Sequence, residues 1–265
     1  MFVDSFRAEF LKFRKRGAVW LIASIWMVLF VLFNYIFPYV RFEARKAGSS
    51  PVPQALLPSH LASTAIAGYS FWGGSLVLIL GALWIGSEYG WGTFKILFTV
   101  RPSRLTVLAA QIAVLEAALA MLVIASYGFS ALASVLVADA AHARVAFPGL
   151  GTIISSMASA WLIVSMWGLI GTALATLTSG TTLSIGLGLV WAFAVENLVR
   201  AFTATIPFLA TIDRFFPGAN GESVIASVSG ASAAIGASQA YVTVAVYVVL
   251  GMLVAGSVVA RRDVG

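Results

Sequence analysis

The chain has 265 residues, of which 60% are hydrophobic and only 10% are charged, and its formal net charge is +6. Soluble domains contain roughly 25% charged residues. This composition therefore excludes an ordinary soluble globular protein and indicates an integral membrane protein. The positive charge does not indicate nucleic-acid binding, because the basic residues stand at the ends of apolar stretches, as membrane topology requires. The absence of cysteine excludes disulfides, thiolate metal sites and cysteine nucleophiles.

Residues 1–16 predict an amphipathic helix. At about 100° per residue, its apolar side chains fall on one face and its basic side chains fall outside that face. The apolar residues are Phe2, Val3, Phe6, Phe10 and Phe13, and the basic ones are Arg7, Lys12, Arg14, Lys15 and Arg16. We expect this helix to lie in the inner membrane interface, with its basic residues facing anionic lipid headgroups. The alternative is a cytosolic extension of the first span that packs on other helices.

Six apolar stretches are each long enough to cross a bilayer as a helix, which takes roughly 20 residues. The predicted spans are residues 17–39, 64–86, 105–128, 152–176, 181–200 and 239–260. The first is longer than the apolar core of a cleavable signal peptide, so we expect it to be retained. The third run stays apolar to Val137, so its helix is expected to tilt or to project beyond the lipid. The predicted fold is an all-α integral membrane protein with a single transmembrane domain, residues 1–265.

Six spans place both termini on the same side of the membrane. That side holds ten of the 16 Lys and Arg residues, and the opposite side holds six. The positive-inside rule therefore predicts cytoplasmic termini and a multi-pass protein of the cytoplasmic membrane. On the opposite side, Ile206–Leu209 and Phe215–Gly218 are apolar but interrupted by proline. They predict short helices that dip back into the membrane, shielded by protein or water.

The connection Glu88–Arg104, between the second and third spans, is the most structured polar segment of the sequence. Its glycines, Gly90 and Gly92, permit a sharp change of direction. Residues 93–100 are too apolar for a solvated loop and predict a short helix, which Pro102 ends. The aromatic residues of this segment favour docking onto a partner protein over a loop that only connects two spans.

Two polar residues are predicted to mark helix ends in this segment. Glu88 follows the end of the predicted second span, where it can place negative charge near the N-terminus of the new short helix. Ser103 is placed to cap the third span, which is predicted to start at Arg104.

The pattern Glu88-x3-Gly92-Thr93-x3-Leu97-x4-Pro102-Ser103-Arg104-x3-Leu108 resembles the cytoplasmic signature of type-2 ABC transporter permeases. Three further segments resemble elements of that family: its N-terminal interfacial helix (Phe10–Arg14), the Pro-Gly element between its last two spans (Phe216–Asn220) and its C-terminal ending (Val259–Val264). The resemblance extends over the whole chain in architecture and over a small part of it in motif. One departure is Gln111, where the family often carries Lys.

The resemblance implies a permease subunit whose coupling helix docks on a separate cytosolic ABC ATPase. It implies two ATPase subunits, which bind ATP and Mg, together with a second permease subunit in a homodimer or heterodimer, and export as the usual direction. The residues implied in ATPase coupling are Glu88, Gly92, Thr93, Lys95, Phe98, Arg101, Pro102 and Arg104. No Gly-Lys dipeptide occurs in the sequence, so a phosphate-binding loop of the Gly-x4-Gly-Lys-Ser/Thr type is excluded. We therefore expect a non-catalytic subunit without a cofactor of its own.

Two acidic residues fall within predicted spans. Glu116 lies about 18 Å along the third span from Arg104, near the bilayer midplane. Apart from Arg200, the last residue of the predicted fifth span, no Lys or Arg lies within a predicted span. The partner of Glu116 must therefore be a hydroxyl, an indole, backbone or water, unless the carboxyl is protonated. It could lie on the transport path, or it could fix helix packing through an interhelical hydrogen bond. Glu196 and Arg200 have i, i+4 spacing, which favours a structural ion pair over a gate.

Two other functions, a secondary carrier or channel and a membrane-embedded enzyme, account for fewer features of the sequence. A secondary carrier or channel could use Glu116 and Glu196 as proton or cation sites, but the sequence shows no inverted repeat. A membrane-embedded enzyme would need catalytic His, Asp and Glu residues that converge on one membrane face, and the sequence shows no such cluster. His60 and His142 fall in separate connections and are expected to be surface residues rather than metal ligands.

The predicted orientation can be tested with a topology reporter fused after Gly265. We expect a cytoplasm-active reporter to be active there, because the excess of basic residues on that side should hold it inside. A periplasm-active reporter at the same position is the control, and its activity would reverse the assignment.

Overall fold

The computed structural model describes residues 2–45, 52–90 and 103–261, and every regular element within these ranges is helical. Six helices are long and apolar enough to cross a membrane. In chain order, these first to sixth spans are Gly17–Ala44, Pro58–Tyr89, Arg104–Ala140, Leu150–Thr178, Thr181–Phe202 and Ala237–Arg261. The predicted all-α fold with six membrane-spanning helices is confirmed. Below, the side of the bundle on which both termini lie is called the termini side, and the other the far side.

The second span is built from several helical pieces. It begins with the 3-10 turn Pro58–His60 and the helix Leu61–Ile66, and it continues as the helix Gly74–Gly90. Gly68, between these helices, adopts a left-handed conformation with φ of 79°, which is open to glycine because it has no Cβ. The span is therefore bent near the far side and starts earlier than the predicted residue 64.

The third span is the longest helix, Arg104–Ala140. Its continuation past the predicted end at residue 128 follows from the apolar run that extends to Val137. Ser103 caps its start, since the Ser103 hydroxyl accepts a hydrogen bond from the Thr106 amide at 3.3 Å. The predicted cap is confirmed, and it satisfies one of the amides that a helix N-terminus leaves without a partner.

The second and fourth spans approach each other most closely at glycines. A Cβ built on Gly81 would overlap the carbonyl oxygen of Gly168, and a Cβ built on Gly171 would overlap that of Leu78. Small residues allow such backbone contact, which supplies van der Waals attraction where lipid provides no hydrophobic driving force between helices. This pair of spans forms the centre of the bundle.

Polar side chains join several spans within the apolar interior. The Trp26 indole of the first span donates to the Ser126 hydroxyl of the third at 2.9 Å. Tyr127 of the third span bonds Ser156 of the fourth. Ser156 in turn donates to the Ala62 carbonyl of the second span at 2.7 Å. Such bonds fix the relative rotation of the helices, because an unpaired polar group in this environment is costly.

The helix Phe2–Lys15 forms the N-terminal helix and packs along the third span. Phe13 is buried against Trp84 of the second span, whereas Phe2 and Phe10 remain 47% and 41% exposed. The helix thus has both a face that contacts other helices and an exposed apolar face. Its location in the membrane interface stays a prediction.

Two short helices, Pro207–Asp213 and Pro217–Ser229, connect the fifth and sixth spans on the far side. The second of them packs on the fourth and sixth spans. Its first turn is buried and contains Asn220, whose side-chain amide donates to the carbonyl oxygens of Arg214 and Phe216. That these helices dip back into the membrane stays a prediction.

The close approach of the second and fourth spans makes Gly171 sensitive to substitution. We expect Gly171→Ala to destabilise the protein by about 3 kcal/mol, near the upper end of typical overpacking costs, because the added methyl group meets backbone. Gly186→Ala is the matched control, since a Cβ there meets no atom within 4 Å. The measurement is thermal unfolding of both variants in the same detergent. Equal Tm values for Gly171→Ala and Gly186→Ala would contradict the close backbone contact at Gly171.

Candidate functional site

A buried acid lies at the end of the second span, immediately before residues 91–102. Glu88 is 1% exposed and sits in the last turn of the helix Gly74–Gly90. The C-terminal end of a helix carries partial negative charge, so a carboxylate there is disfavoured. Burial adds a desolvation cost that a nearby cation must offset.

Arg16 supplies that cation. Its Nη2 lies 2.5 Å from Glu88 Oε1, and its Nη1 donates to Ser87 Oγ at 2.6 Å and to the Trp84 carbonyl at 3.1 Å. The guanidinium carbon also stands 4.6 Å from the centroid of the Trp84 ring. The planar guanidinium therefore combines an ion pair, two further hydrogen bonds and a cation–π contact at one point.

The local backbone explains how Arg16 reaches the second span. Arg16 separates the N-terminal helix from the first span, and its φ of −80° and ψ of 115° are extended rather than helical. This single extended residue changes the chain direction between the two helices. As a result, the side chain points between helices instead of toward the lipid headgroups, where the sequence had suggested it would lie.

Two residues of the N-terminal helix extend the ion pair into a cluster. Glu9 is 2% exposed, and its Oε1 accepts a hydrogen bond from Lys12 Nζ at 2.7 Å. Lys12 Nζ also lies 3.9 Å from Glu88 Oε2. The cluster Glu9, Lys12, Arg16 and Glu88 thus contains two acids and two bases, so its formal charges cancel. We call it the ion-pair cluster.

Trp84 connects this cluster to the third span. The Phe13 ring meets the Trp84 ring edge-on, with centroids 4.9 Å apart. The Trp84 indole donates to the backbone carbonyl of Gln111 at 3.0 Å. The N-terminal helix and the first, second and third spans are therefore joined within a few ångströms of Trp84.

Glu116 has a hydroxyl partner, which is one of the alternatives that the sequence left open. Ser165 of the fourth span donates to Glu116 Oε2 at 2.5 Å, which links the third and fourth spans. The other carboxylate oxygen is buried and receives no hydrogen bond from the residues that the structure describes. Packing and transport-path roles both remain predictions for this residue.

Glu196 is held differently from the expected ion pair. Its carboxylate lies against Gly218 at the N-terminus of the helix Pro217–Ser229, where a Cβ would overlap Oε2, and Oε1 accepts a hydrogen bond from the Trp191 indole at 3.0 Å. Arg200 pairs instead with Glu222 at 2.9 Å and with Asp213 at 4.0 Å. The expected Glu196–Arg200 pair is wrong, because the helix Pro217–Ser229 offers Glu196 its positive dipole end and offers Arg200 the acid Glu222. The second acid near Arg200, Asp213, ends the preceding short helix.

A comparison with protein-family models identifies the family of this chain. The family model described as ABC-2 family transporter protein matches residues 5–195, which contain the whole ion-pair cluster and the first four spans. The chain belongs to the ABC-2 transporter family. It is thus a multi-pass membrane protein, and its family implies an ABC transporter complex. No curated protein sequence matches the chain.

The described residues include only part of the predicted coupling segment of this ABC-2 family protein. Glu88 lies in the last turn of the second span rather than beyond its end, because the helix continues to Gly90, so its predicted place at the start of a new helix is wrong. Arg104 begins the third span. The remaining predicted coupling residues fall outside the described residues: Gly92, Thr93, Lys95, Phe98, Arg101 and Pro102.

The partners of Glu88 were missed from sequence. Lys12 and Arg16 were interpreted only as basic residues of an interfacial helix, and Glu9 was not singled out. A signal was nevertheless available, because the topology places the start of the first span and the end of the second at the same membrane boundary. An acid predicted at that boundary needs a cation, and the nearest one before the first span is Arg16.

Removal of Arg16 tests the cluster. We expect Arg16→Met to destabilise the protein by about 3 kcal/mol, because it leaves the buried Glu88 carboxylate without its closest cation. Arg14→Met removes the same charge from an exposed neighbour outside the cluster and should have little effect. The measurement is Tm in detergent.

The double variant Arg16→Met, Glu88→Met separates an unpaired charge from lost packing. It should recover much of the stability, since both charges are then gone. A double variant no more stable than Arg16→Met would show that the pair is not the source of the effect.

Proposed function

We propose that this chain is the transmembrane permease subunit of an ATP-driven exporter. In this proposal, a separate cytosolic ATPase binds ATP and Mg and hydrolyses the nucleotide, and its movement is passed to the spans through residues 88–104. The complex contains two ATPase subunits and a second permease subunit, either another copy of this chain or a related one. It operates in a bacterial or archaeal cytoplasmic membrane, with both termini of the permease in the cytoplasm.

The main support for the proposal is the ion-pair cluster, which lies at the end of the second span, directly before residues 91–102. Arg16 bonds Glu88, Ser87 and the Trp84 carbonyl, so it fixes the start of the first span to the end of the second. On the other side of the segment, Ser103 caps the third span. The segment predicted to dock on the ATPase therefore lies between the last described turn of the second span, which Arg16 holds, and the capped start of the third span.

These contacts offer a route by which movement of the segment would reach the membrane. Displacement of Glu88 would act on the first span through Arg16 and on the third span through the Trp84–Gln111 bond. It would also act on the fourth span through the backbone contact of Gly81 with Gly168. Packed side chains and ion pairs of this kind are the physical carriers of coupling between distant sites.

The family membership and the sequence support the ATPase partner. ABC transporter complexes contain an ATPase in general, and this chain has no Gly-x4-Gly-Lys-Ser/Thr loop of its own. The hydrolytic step is therefore assigned to another chain, and the permease is a non-catalytic subunit.

Purification from the native host under mild conditions tests the assignment. We expect a tagged full-length chain to retain an ABC ATPase, identified by mass spectrometry. Transport by this chain alone, without ATP, would refute the proposal and would favour a secondary carrier or channel.

Charge reversal tests which residues couple the two subunits. We expect Lys95→Glu and Arg104→Glu to reduce the amount of ATPase that co-purifies or to uncouple its hydrolysis from transport, because both basic residues belong to the docking segment. Arg144→Glu is the matched control, since Arg144 is exposed on the far side. If all three variants retain the ATPase and its coupling as the parent does, the basic residues of the segment act only as topology signals.

A further inference from the structure

A cavity of about 380 Å³ opens between the first and second spans on the termini side. One wall comes from the end of the N-terminal helix, at Lys15, and from the start of the first span, at Gly17 and Val19. The other wall comes from the second span and includes Leu80, Leu83 and Trp84. The cavity extends along roughly 10 Å of the second span, from Leu80 to Ser87.

The two ends of this cavity differ in polarity. Lys15, Arg16 and Ser87 stand at the end where the first span begins, which is the membrane boundary on the termini side. Val19, Leu80 and Leu83 line the part that extends into the span region. A ligand that fits both ends must be anionic at one end and aliphatic along its length.

Lys15 is the cation that remains available to such a ligand. Arg16 is held by Glu88, whereas Lys15 is exposed and makes no ion pair or side-chain hydrogen bond with any residue that the structure describes. Its neighbour Arg14 is equally exposed but does not line the cavity. The two adjacent basic residues therefore differ in position with respect to the cavity and not in charge.

Gly17 keeps the cavity open at its polar end. A Cβ built on this glycine meets no atom within 4 Å, although the residue begins the first span and lines the cavity. A larger side chain could occupy this space without displacing protein atoms. The position thus allows the cavity to be filled without removing a contact.

We propose that this cavity binds one anionic phospholipid from the leaflet on the termini side. The phosphate lies beside Lys15, since an ammonium group is a compact partner for phosphate oxygens. An acyl chain lies along Val19, Leu80 and Leu83, where it gains van der Waals contact with aliphatic side chains. A soluble anion would leave the aliphatic part empty, and a zwitterionic lipid would gain less from Lys15.

The lipid would border the ion-pair cluster. Trp84 forms part of the cavity wall, and its ring also lies under the guanidinium of Arg16. An acyl chain against Leu83 and Trp84 would fill the cavity beside the Arg16–Glu88 ion pair. The inference concerns lipid binding and does not depend on the proposed transport function.

Lipid binding to the purified, delipidated full-length chain tests the inference. Phosphatidylglycerol and phosphatidylcholine with the same acyl chains are titrated, and bound lipid is counted by native mass spectrometry. We expect one high-affinity phosphatidylglycerol per chain, bound about fivefold more tightly than phosphatidylcholine, as one lysine near an anionic headgroup provides. Equal affinity for the two lipids would overturn the proposal.

Two pairs of variants locate the site. Lys15→Gln should abolish the preference for phosphatidylglycerol, whereas Arg14→Gln should keep it. Gly17→Leu should remove the high-affinity site, whereas Gly128→Leu, at another glycine whose Cβ would meet no atom, should keep it. Both leucine variants are first compared with the parent by Tm without lipid, so that a folding defect is not mistaken for a binding defect.

Three results would refute the site. An equal loss in Lys15→Gln and Arg14→Gln would indicate only diffuse attraction of lipid to a basic surface. Parental binding by a folded Gly17→Leu would show that the lipid lies elsewhere. A dimer that excludes lipid while the monomer binds it would assign the cavity to a second copy of the chain.

Discussion

The burial of the Glu88 carboxylate is the constraint on which the termini side of this protein depends. A carboxylate at the negative end of a helix, 1% exposed, is unfavourable unless a cation reaches it. Arg16 reaches it only because the chain is extended at that one residue, between the N-terminal helix and the first span. The Arg16–Glu88 ion pair therefore links the start of the first span and the end of the N-terminal helix to the second span.

Two further acids of the spans follow the same physical rule with different partners. Glu116 of the third span accepts a hydrogen bond from Ser165 of the fourth, and Glu196 of the fifth lies at the N-terminus of the helix Pro217–Ser229. Each acid is thus stabilised by an element other than its own helix. Interactions of this kind, rather than apolar attraction, give specificity to helix association in lipid.

The sequence predicted what local patterns control and missed what depends on the packing of distant segments. Apolar length gave six spans, and Ser103 was recognisable as a cap from its position before the third span. The Arg16–Glu88 bond joins residues 72 positions apart, and only the packing of the first span on the second brings them together. The Glu196–Arg200 spacing was misleading, because local periodicity ignores the helix Pro217–Ser229 that folds back onto both residues.

The Arg16–Glu88 ion pair determines how the start of the first span is attached to the second span. Only 22% of its most apolar stretch is buried inside the protein, against 61% for the second span. Near Leu80 and Leu83 the two spans are separated by a cavity rather than packed. The start of the first span is therefore attached to the second mainly through the directional bonds of Arg16, which hold one relative position more specifically than apolar surfaces that can slide. Farther along the first span, Trp26 bonds Ser126 of the third span. The first span is therefore held at discrete polar contacts rather than along a continuous packed face.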